Sequence, residues 1–271
     1  MSSLKNQIFN LLENTACSLP TDVENSLKKS ASKSKGNERK VLNEILENVQ
    51  IARDEKVPIC QDTGTVIFFV TYNPKKHNEE FLRKEINSAV REATEKSILR
   101  PNSVDSLTDK NLGNIPEIHF MQGKKLKIDL LLKGGGSENC ARIYKLPNSD
   151  LKAERNFDGV KKCVIDTVEK AQGKGCPPYV VGVAIGGSVS STAFESKKQL
   201  MRKLNDKNKN KKLNDFENSL LKEINKLKIG AMGFGGSETA LAVKVSTLPR
   251  HPASYVIAVS LSCWCDRRCS L

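Results

Sequence analysis

The first fifty-five residues of the chain carry apolar side chains at helical spacing. They predict three helices, over 4–16, 22–33 and 38–53, and the second follows the cap signal Thr21-Asp22. In the third helix, Leu42, Ile45 and Val49 lie on one face. We therefore expect residues 1–55 to form a helical N-terminal part.

From residue 56 onward, strand-like runs alternate with helical patterns. Residues 65–70 are continuously apolar, as in a buried strand, and residues 117–132 alternate around Gln122-Gly123, which predicts a hairpin. The remaining predicted elements are helices over 79–98, 156–172, 190–204 and 214–228, and strands over 180–185, 239–245 and 255–262.

This order predicts an α/β fold with a helical N-terminal layer packed on a mixed β-sheet with flanking helices. We expect one domain over 1–271, in which 1–55 are helical and 56–271 form the α/β part. A Lys/Asn-rich run at 205–214 is expected to be a surface insert. The motifs with chemical potential fall in loops at strand ends, where sites are commonly built.

Charge narrows the choice of partners only a little. The formal net charge is +13, and much of it comes from Lys-rich stretches at 28–40 and 202–215. No aromatic platform is interleaved with these lysines, which disfavours nucleic acid as a partner and leaves a solvated surface or the attraction of an anionic substrate.

The apolar stretches are too short to suggest a membrane protein. None approaches the ~20 residues that cross a bilayer. The N-terminus lacks a basic start followed by a continuous apolar core, so no secretory signal is indicated. We expect a cytoplasmic protein.

Eight cysteines are scattered along the chain, a distribution that favours reduced thiols. Cys17 and Cys163 lie in helical patterns and suit packing. Three others stand in tight local settings: Cys60 in PICQDTG, Cys176 in GCPP and Cys263 in SCWCDRR. Three thiolates from distant loops could hold an iron–sulfur cluster and leave one iron open as a Lewis acid.

Two simpler interpretations of these cysteines remain. They could be ordinary buried thiols. They could also join Cys265 in a zinc site, although that spacing is unusual for zinc.

Four motifs in order carry a family resemblance: PICQDTG, KGGGSEN, GCPPYVVGVAIGG and the ending HPAS…SCW..RR. Together they resemble the alpha subunit, or N-terminal half, of class I fumarate hydratases and L-tartrate dehydratases, over roughly residues 40 to 268. The resemblance implies a [4Fe-4S] cluster on Cys60, Cys176 and Cys263, with Cys265 as an alternative to Cys263.

The resemblance also implies residues that act on a small dicarboxylate. Gln61 and Asp62 match a pair that contacts substrate, with Asp62 the candidate catalytic residue, and Arg100 matches a substrate-binding arginine. The loop Gly134, Gly135 and Gly136 matches a substrate loop. From the residues alone, Asp62 could instead cap a turn, Arg100 could form a surface ion pair, and the glycines could serve a tight turn.

No residue of the chain is a convincing base for removing a proton from carbon, since the three histidines belong to no triad. In the family, the base comes from a C-terminal domain or a separate beta subunit. We therefore expect half of an active site, a partner beta subunit in a heterotetramer of two alpha and two beta chains, and an apolar docking face near Trp264.

The expected activity is the reversible addition of water to a four-carbon dicarboxylate, which interconverts fumarate and malate in a step of the tricarboxylic acid cycle. Dehydration of L-tartrate to oxaloacetate is the near alternative. From other classes, an iron–sulfur electron carrier or sensor would need a fourth cysteine ligand and no substrate arginine.

Overall fold

The computed structural model describes residues 3–271, in which eight α-helices and ten β-strands are formed. The helices are α1 Leu4–Cys17, α2 Thr21–Lys33, α3 Gly36–Glu55, α4 Glu79–Glu95, α5 Gly135–Asn139, α6 Phe157–Ala171, α7 Val189–Gln199 and α8 Lys211–Lys226. The strands are β1 Thr65–Tyr72, β2 Ser103–Val104, β3 Asn111–Gly113, β4 Glu117–Gln122, β5 Lys127–Lys133, β6 Arg142–Lys145, β7 Tyr179–Gly186, β8 Ala240–Leu248, β9 Val256–Ser262 and β10 Arg267–Ser270.

Asparagine side chains begin three of the long helices. Asn78 accepts hydrogen bonds from Glu80 N and Phe81 N at the start of α4, and Asn156 and Asn210 cap α6 and α8 in the same way. Helix α4 ends at Glu95, three residues before the predicted end, because the chain turns at once through Ser97, whose φ is +61°.

The chain divides into two compact units. The first contains the chain up to Pro20, Glu47–Gly135 and Cys265–Leu271. Its sheet has the order β10-β5-β1-β4, with β1 parallel to β4 and antiparallel to β5. Helix α1 packs against α4, β5 and β10, and the core includes Phe68, Ile86 and Leu130.

The predicted hairpin over 117–132 is wrong, although both of its strands exist. β1 lies between β4 and β5 and pairs with each of them. The connection crosses the end of β1, where Gly123 N donates to Tyr72 O and a Cβ on Gly123 would meet Thr71 at 2.3 Å. The physical reason is burial: the apolar β1 needs a neighbour on each side, while β4 is only partly buried and suits the edge.

The second unit contains Thr21–Leu46 and Gly136–Trp264. Its sheet has the order β6-β9-β7-β8, and every residue of the central strand β7 is buried. Helix α7 packs on β7 and β9, α8 on β8, and α6 on β9. Val180 at the start of β7 pairs with Ser262 at the end of β9, so Cys176, just before β7, and Cys263, just after β9, lie at the same end of these two strands.

The Lys/Asn-rich insert is anchored at its beginning by a buried lysine. Lys244 is 2% exposed, and its Nζ donates to Leu204 O and Asp206 O at 3.0 Å and pairs with the Asp206 carboxylate. Beyond Asn210 the run becomes the first turns of α8. The anchor explains how a very polar segment keeps a defined path.

The predicted α/β class is confirmed, with the strands distributed over two four-stranded mixed sheets and the antiparallel pair β2-β3 rather than over one sheet. The division into units does not follow the predicted boundary at residue 55, because α2 and the start of α3 belong to the second unit. The single domain stays a prediction. Among residues 3–271, no helix combines the length and apolarity that crossing a bilayer requires.

Candidate functional site

The Cys60 loop connects α3 to β1 in the first unit. Ile59, just before the cysteine, is buried; its N–H donates to Ala16 O at 3.0 Å and its carbonyl accepts from Asn48 Nδ2 at 2.9 Å. The loop is thereby fixed immediately before Cys60, which is half-buried. Gln61 follows with its side chain exposed.

Both carboxylate oxygens of Asp62 accept backbone hydrogen bonds. Oδ1 binds Gly64 N at 2.9 Å within the loop, and Oδ2 binds Gly135 N at 2.8 Å in the glycine motif. The Asp62 carbonyl accepts from Arg267 Nη2 at 2.8 Å, and Arg267 is 1% exposed. Asp62 therefore caps a turn, as the residues alone allowed, and also joins the Cys60 loop to the glycine motif.

The Cys60 loop approaches β5 so closely that only glycine fits at position 64. Its φ is +85°, and a Cβ built there would lie 2.8 Å from the carbonyl carbon of Lys133. Lys133 is 1% exposed at the end of β5. A side chain at position 64 would separate the loop from the strand that leads into the glycine motif.

Thr63 brings Arg100 to the same loop. The Thr63 hydroxyl accepts from Arg100 N at 3.0 Å and from Asn102 Nδ2 at 2.9 Å, and Asn114 Nδ2 donates to Arg100 O at 2.8 Å. The backbone of Arg100 is thus fixed, while the residue is exposed. A fixed backbone with an exposed guanidinium suits the binding of a carboxylate from solution.

The glycine motif forms the start of the short helix α5 rather than an open loop. Of its three expected donors, Gly135 N–H is the one that binds Asp62. Gly134 precedes it in the first unit, and Gly136 begins the longer segment of the second.

In the second unit, backbone contacts hold Cys176 beside the Cys263 loop. Trp264 N donates to Cys176 O at 3.0 Å, and Cys176 N donates to Gly173 O at 3.1 Å. Cys176 has a φ of +56°, a conformation that costs a non-glycine residue about 1–3 kcal/mol. Strain of this kind persists only where the surroundings fix the backbone.

Tyr179 lies against the Cys176 loop. Its hydroxyl donates to Gln172 O at 2.7 Å and accepts from Gly175 N at 3.2 Å. Burial raises the pKa of the Tyr179 hydroxyl, and the nearby charges of Cys140, Cys176 and Cys263 raise it further. Tyr179 therefore stays protonated, near three of the four cysteines of this unit.

Exposure separates the eight cysteines into classes. Cys60, Cys176 and Cys263 are half-buried; Cys17, Cys140, Cys163 and Cys265 are buried, and Cys269 is exposed. The half-buried class therefore coincides with the three cysteines singled out by their motifs. Across residues 3–271, no group of three or more His, Cys, Asp or Glu side chains is arranged as a metal site.

Several supporting residues escaped the sequence interpretation. Arg267 and Tyr179 had no assigned role, although Arg267 belongs to the SCW..RR ending, which was a usable signal. Asn102 and Asn114 gave none. Trp264 itself is 9% exposed, and the apolar docking face expected near it stays a prediction.

Comparisons with known proteins cover nearly the whole chain. The sequence model of the family described as fumarate hydratase (Fumerase) matches residues 5–271. A putative class I fumarate hydratase of Geobacillus stearothermophilus is 38% identical over 281 residues, which is 99% of this chain and 54% of that protein. The chain thus spans about half the length of that relative.

Two other relatives are similar to this chain over most of their own length. A putative L(+)-tartrate dehydratase subunit alpha of Methanocaldococcus jannaschii is 37% identical over 273 residues, 96% of this chain and 94% of that protein. The L(+)-tartrate dehydratase subunit alpha of Escherichia coli K12 is 31% identical over 262 residues, with coverages of 93% and 85%.

Proposed function

The chain belongs to the fumarate hydratase family, and we propose that it is the cluster-binding part of a hydro-lyase that reversibly adds water to fumarate to give malate. One observation carries the proposal: Asp62 and Thr63 tie the Cys60 loop to the glycine motif and to Arg100 within one unit. A loop that joins a cysteine to a carboxylate-binding arginine suits a site where a metal centre and an anion meet.

The donor set fits a [4Fe-4S] cluster. Cys60, Cys176 and Cys263 would hold it. Half-buried thiols are partly shielded from solvent yet can still be reached by iron, and Cys176 and Cys263 lie at the same end of two paired strands. Burial of Cys265 at 2% exposure supports Cys263 as the third ligand. When bound, the cluster supplies a Lewis acid, since three thiolates leave one iron without a protein ligand.

The exposed polar residues of the first unit would bind the substrate. Arg100 offers two parallel N–H donors to one carboxylate, and the Gln61 amide offers a further donor. The loop of Gly134, Gly135 and Gly136 stays the predicted substrate loop, and its Gly135 N–H binds Asp62. The catalytic role of Asp62 stays a prediction; its two backbone bonds support a role in holding these groups in place.

We also propose that the base for carbon deprotonation comes from a partner. Relatives named as alpha subunits, and a relative about twice as long as the matched region, support a second polypeptide or domain. Two alpha and two beta chains are the proposed assembly, in the cytoplasm. Cell fractionation and the mass of the native complex test these two points.

L-tartrate dehydratase activity is the second candidate, because two of the similar proteins carry that name over nearly full-length matches. The substrates differ by one hydroxyl, so a pocket that hydrogen-bonds it discriminates strongly. The residues around that hydroxyl therefore decide between malate and L-tartrate as the substrate.

The test is anaerobic reconstitution of the chain with iron and sulfide, alone and with the partner, followed by assays on malate, fumarate and both tartrate enantiomers. We expect the chain alone to turn over none of them and the complex to turn over malate and fumarate. If the complex turns over L-tartrate but neither malate nor fumarate, the second candidate is favoured. A stable cluster with four cysteine ligands and no turnover would favour an electron carrier.

A further inference from the structure

The loop between α8 and β8 surrounds a buried carboxylate from a distant part of the second unit. Glu38, in the first turn of α3, is 6% exposed. Its Oε1 accepts from Glu238 N at 2.8 Å, and its Oε2 accepts from Ser237 N at 3.1 Å and from Ser34 Oγ at 3.0 Å. Hydrogen bonds to an ionised acceptor in such a setting are strong.

Gly236 makes this contact possible. Its φ is +141°, and a Cβ built there would lie 2.1 Å from Glu38 Oε1. Gly236 therefore leaves room for the Glu38 carboxylate beside the backbone N–H groups of Ser237 and Glu238.

The same loop holds the Cys176 segment from its other side. Met232 N donates to Pro177 O at 2.8 Å, and Pro177 directly follows the cysteine. Gly233, with φ +80°, approaches Gly173 so closely that a Cβ would lie 2.7 Å from the Gly173 Cα. Gly173 O in turn accepts from Cys176 N. The path from Glu38 to the backbone of Cys176 thus consists of these contacts and of the chain between residues 232 and 238.

We propose that Glu38 is a positioning residue for Cys176: its carboxylate holds the loop 228–238, and this loop holds the strained backbone of the thiol. The inference rests on the proposed function only in taking Cys176 as a cluster ligand. It goes beyond that function, because the residue that fixes the ligand lies in the N-terminal helical part.

The reason is that backbone strain at Cys176 needs a rigid neighbour. Removing the Glu38 charge leaves the partly buried N–H groups of Ser237 and Glu238 with a weaker acceptor, so the loop relaxes outward. Met232 N then moves away from Pro177 O, and Cys176 gains freedom.

The experiment compares Glu38→Gln with Glu44→Gln, an exposed glutamate on the same helix, in the full chain. In metal-free, reduced protein, iodoacetamide labelling of Cys176 and of Cys60 is followed by peptide mass spectrometry. In anaerobically reconstituted protein, the rate of iron release to a chelator is recorded. Gly233→Ala, which pushes the loop from Gly173 without touching Glu38, is the independent variant.

We expect Glu38→Gln to speed labelling of Cys176 about tenfold, with Cys60 and Glu44→Gln unchanged. In Glu38→Gln the rate of iron release to the chelator rises by a similar factor. Gly233→Ala speeds both the labelling of Cys176 and the release of iron. Labelling of Cys176 at the wild-type rate, or an equal rise at Cys60, overturns the inference. Wild-type chain that binds no iron would refute the proposed cluster, while the labelling result still decides the role of Glu38.

Discussion

The two units fix their cysteine loops by different means. In the first, side chains do it: Asp62 and Thr63 bind backbone groups of Gly135 and Arg100, and polar residues beside them stay exposed. In the second, a backbone bond from Trp264 and a buried tyrosine hold Cys176, and a close glycine approach occurs in each unit, at Gly64 in the first and at Gly173 in the second. The first arrangement leaves groups available for a ligand, and the second restricts movement of a thiol.

The largest expected effect tests whether the two loops serve one centre. Cys60→Ser, Cys176→Ser and Cys263→Ser should each abolish cluster binding and activity, because serine is a poor iron ligand at neutral pH. The iron and sulfide content of the chain and the turnover of malate by its complex with the partner measure this. Cys269→Ser, at an exposed position, is the control. If Cys265→Ser abolishes both while Cys263→Ser does not, the ligand assignment is wrong.

The next effect concerns the approach of the first loop to β5. Gly64→Ala adds strain at φ +85° and a contact 2.8 Å from Lys133, so the free energy of unfolding should fall by about 3 kcal/mol. Gly113→Ala, at φ +82° with nothing within 4 Å, should cost about 1–2 kcal/mol. Urea unfolding measures both, and equal losses would show that the contact with Lys133 does not matter.

Arg100→Lys tests whether the exposed face of the first unit binds substrate. Lysine keeps the charge but loses the planar fork. The interaction with the substrate carboxylate should weaken by about 1.5–3 kcal/mol, and kcat/KM should fall accordingly. Arg91→Lys, an exposed arginine on α4, is the matched control. Unchanged kinetics with a lowered unfolding free energy would make Arg100 structural.

The smallest expected effect is a difference in stability between phenylalanine variants of two tyrosines, one from each unit. Tyr179→Phe removes the acceptor of Gly175 N and the donor to Gln172 O, and should cost about 1–2 kcal/mol. Tyr72→Phe removes a single bond to Glu79 in the other unit and should cost less. Thermal unfolding of the two variants measures the difference; a larger loss for Tyr72→Phe would contradict it.

Much of the local structure could be predicted from the sequence, because apolar periodicity encodes it directly. The three motif cysteines could be separated from the other five because each stands in a distinctive short sequence. What the pattern does not encode is which strand lies between two others: the alternation of β4 and β5 is the same whether they pair or β1 separates them. The pattern also carries no sign that Asp62 reaches Gly135, 73 positions away.

Buried polar side chains were the other limit. Glu38 and Arg267 look like surface residues in the sequence, since charged side chains are seldom buried. Their burial depends on donors or acceptors supplied by remote segments, Ser237 and Glu238 for one and Asp62 O for the other. Such pairings appear only once the chain has folded.

The C-terminal strand has a consequence for synthesis. β10 supplies an edge of the first unit's sheet by pairing with β5, yet it is translated after the whole of the second unit. A ribosome that has made β5 therefore carries a nascent sheet with an open edge, which is prone to pairing with other chains. Protection by a chaperone would matter most in that interval, and it would end when Arg267 and Arg268 leave the exit tunnel.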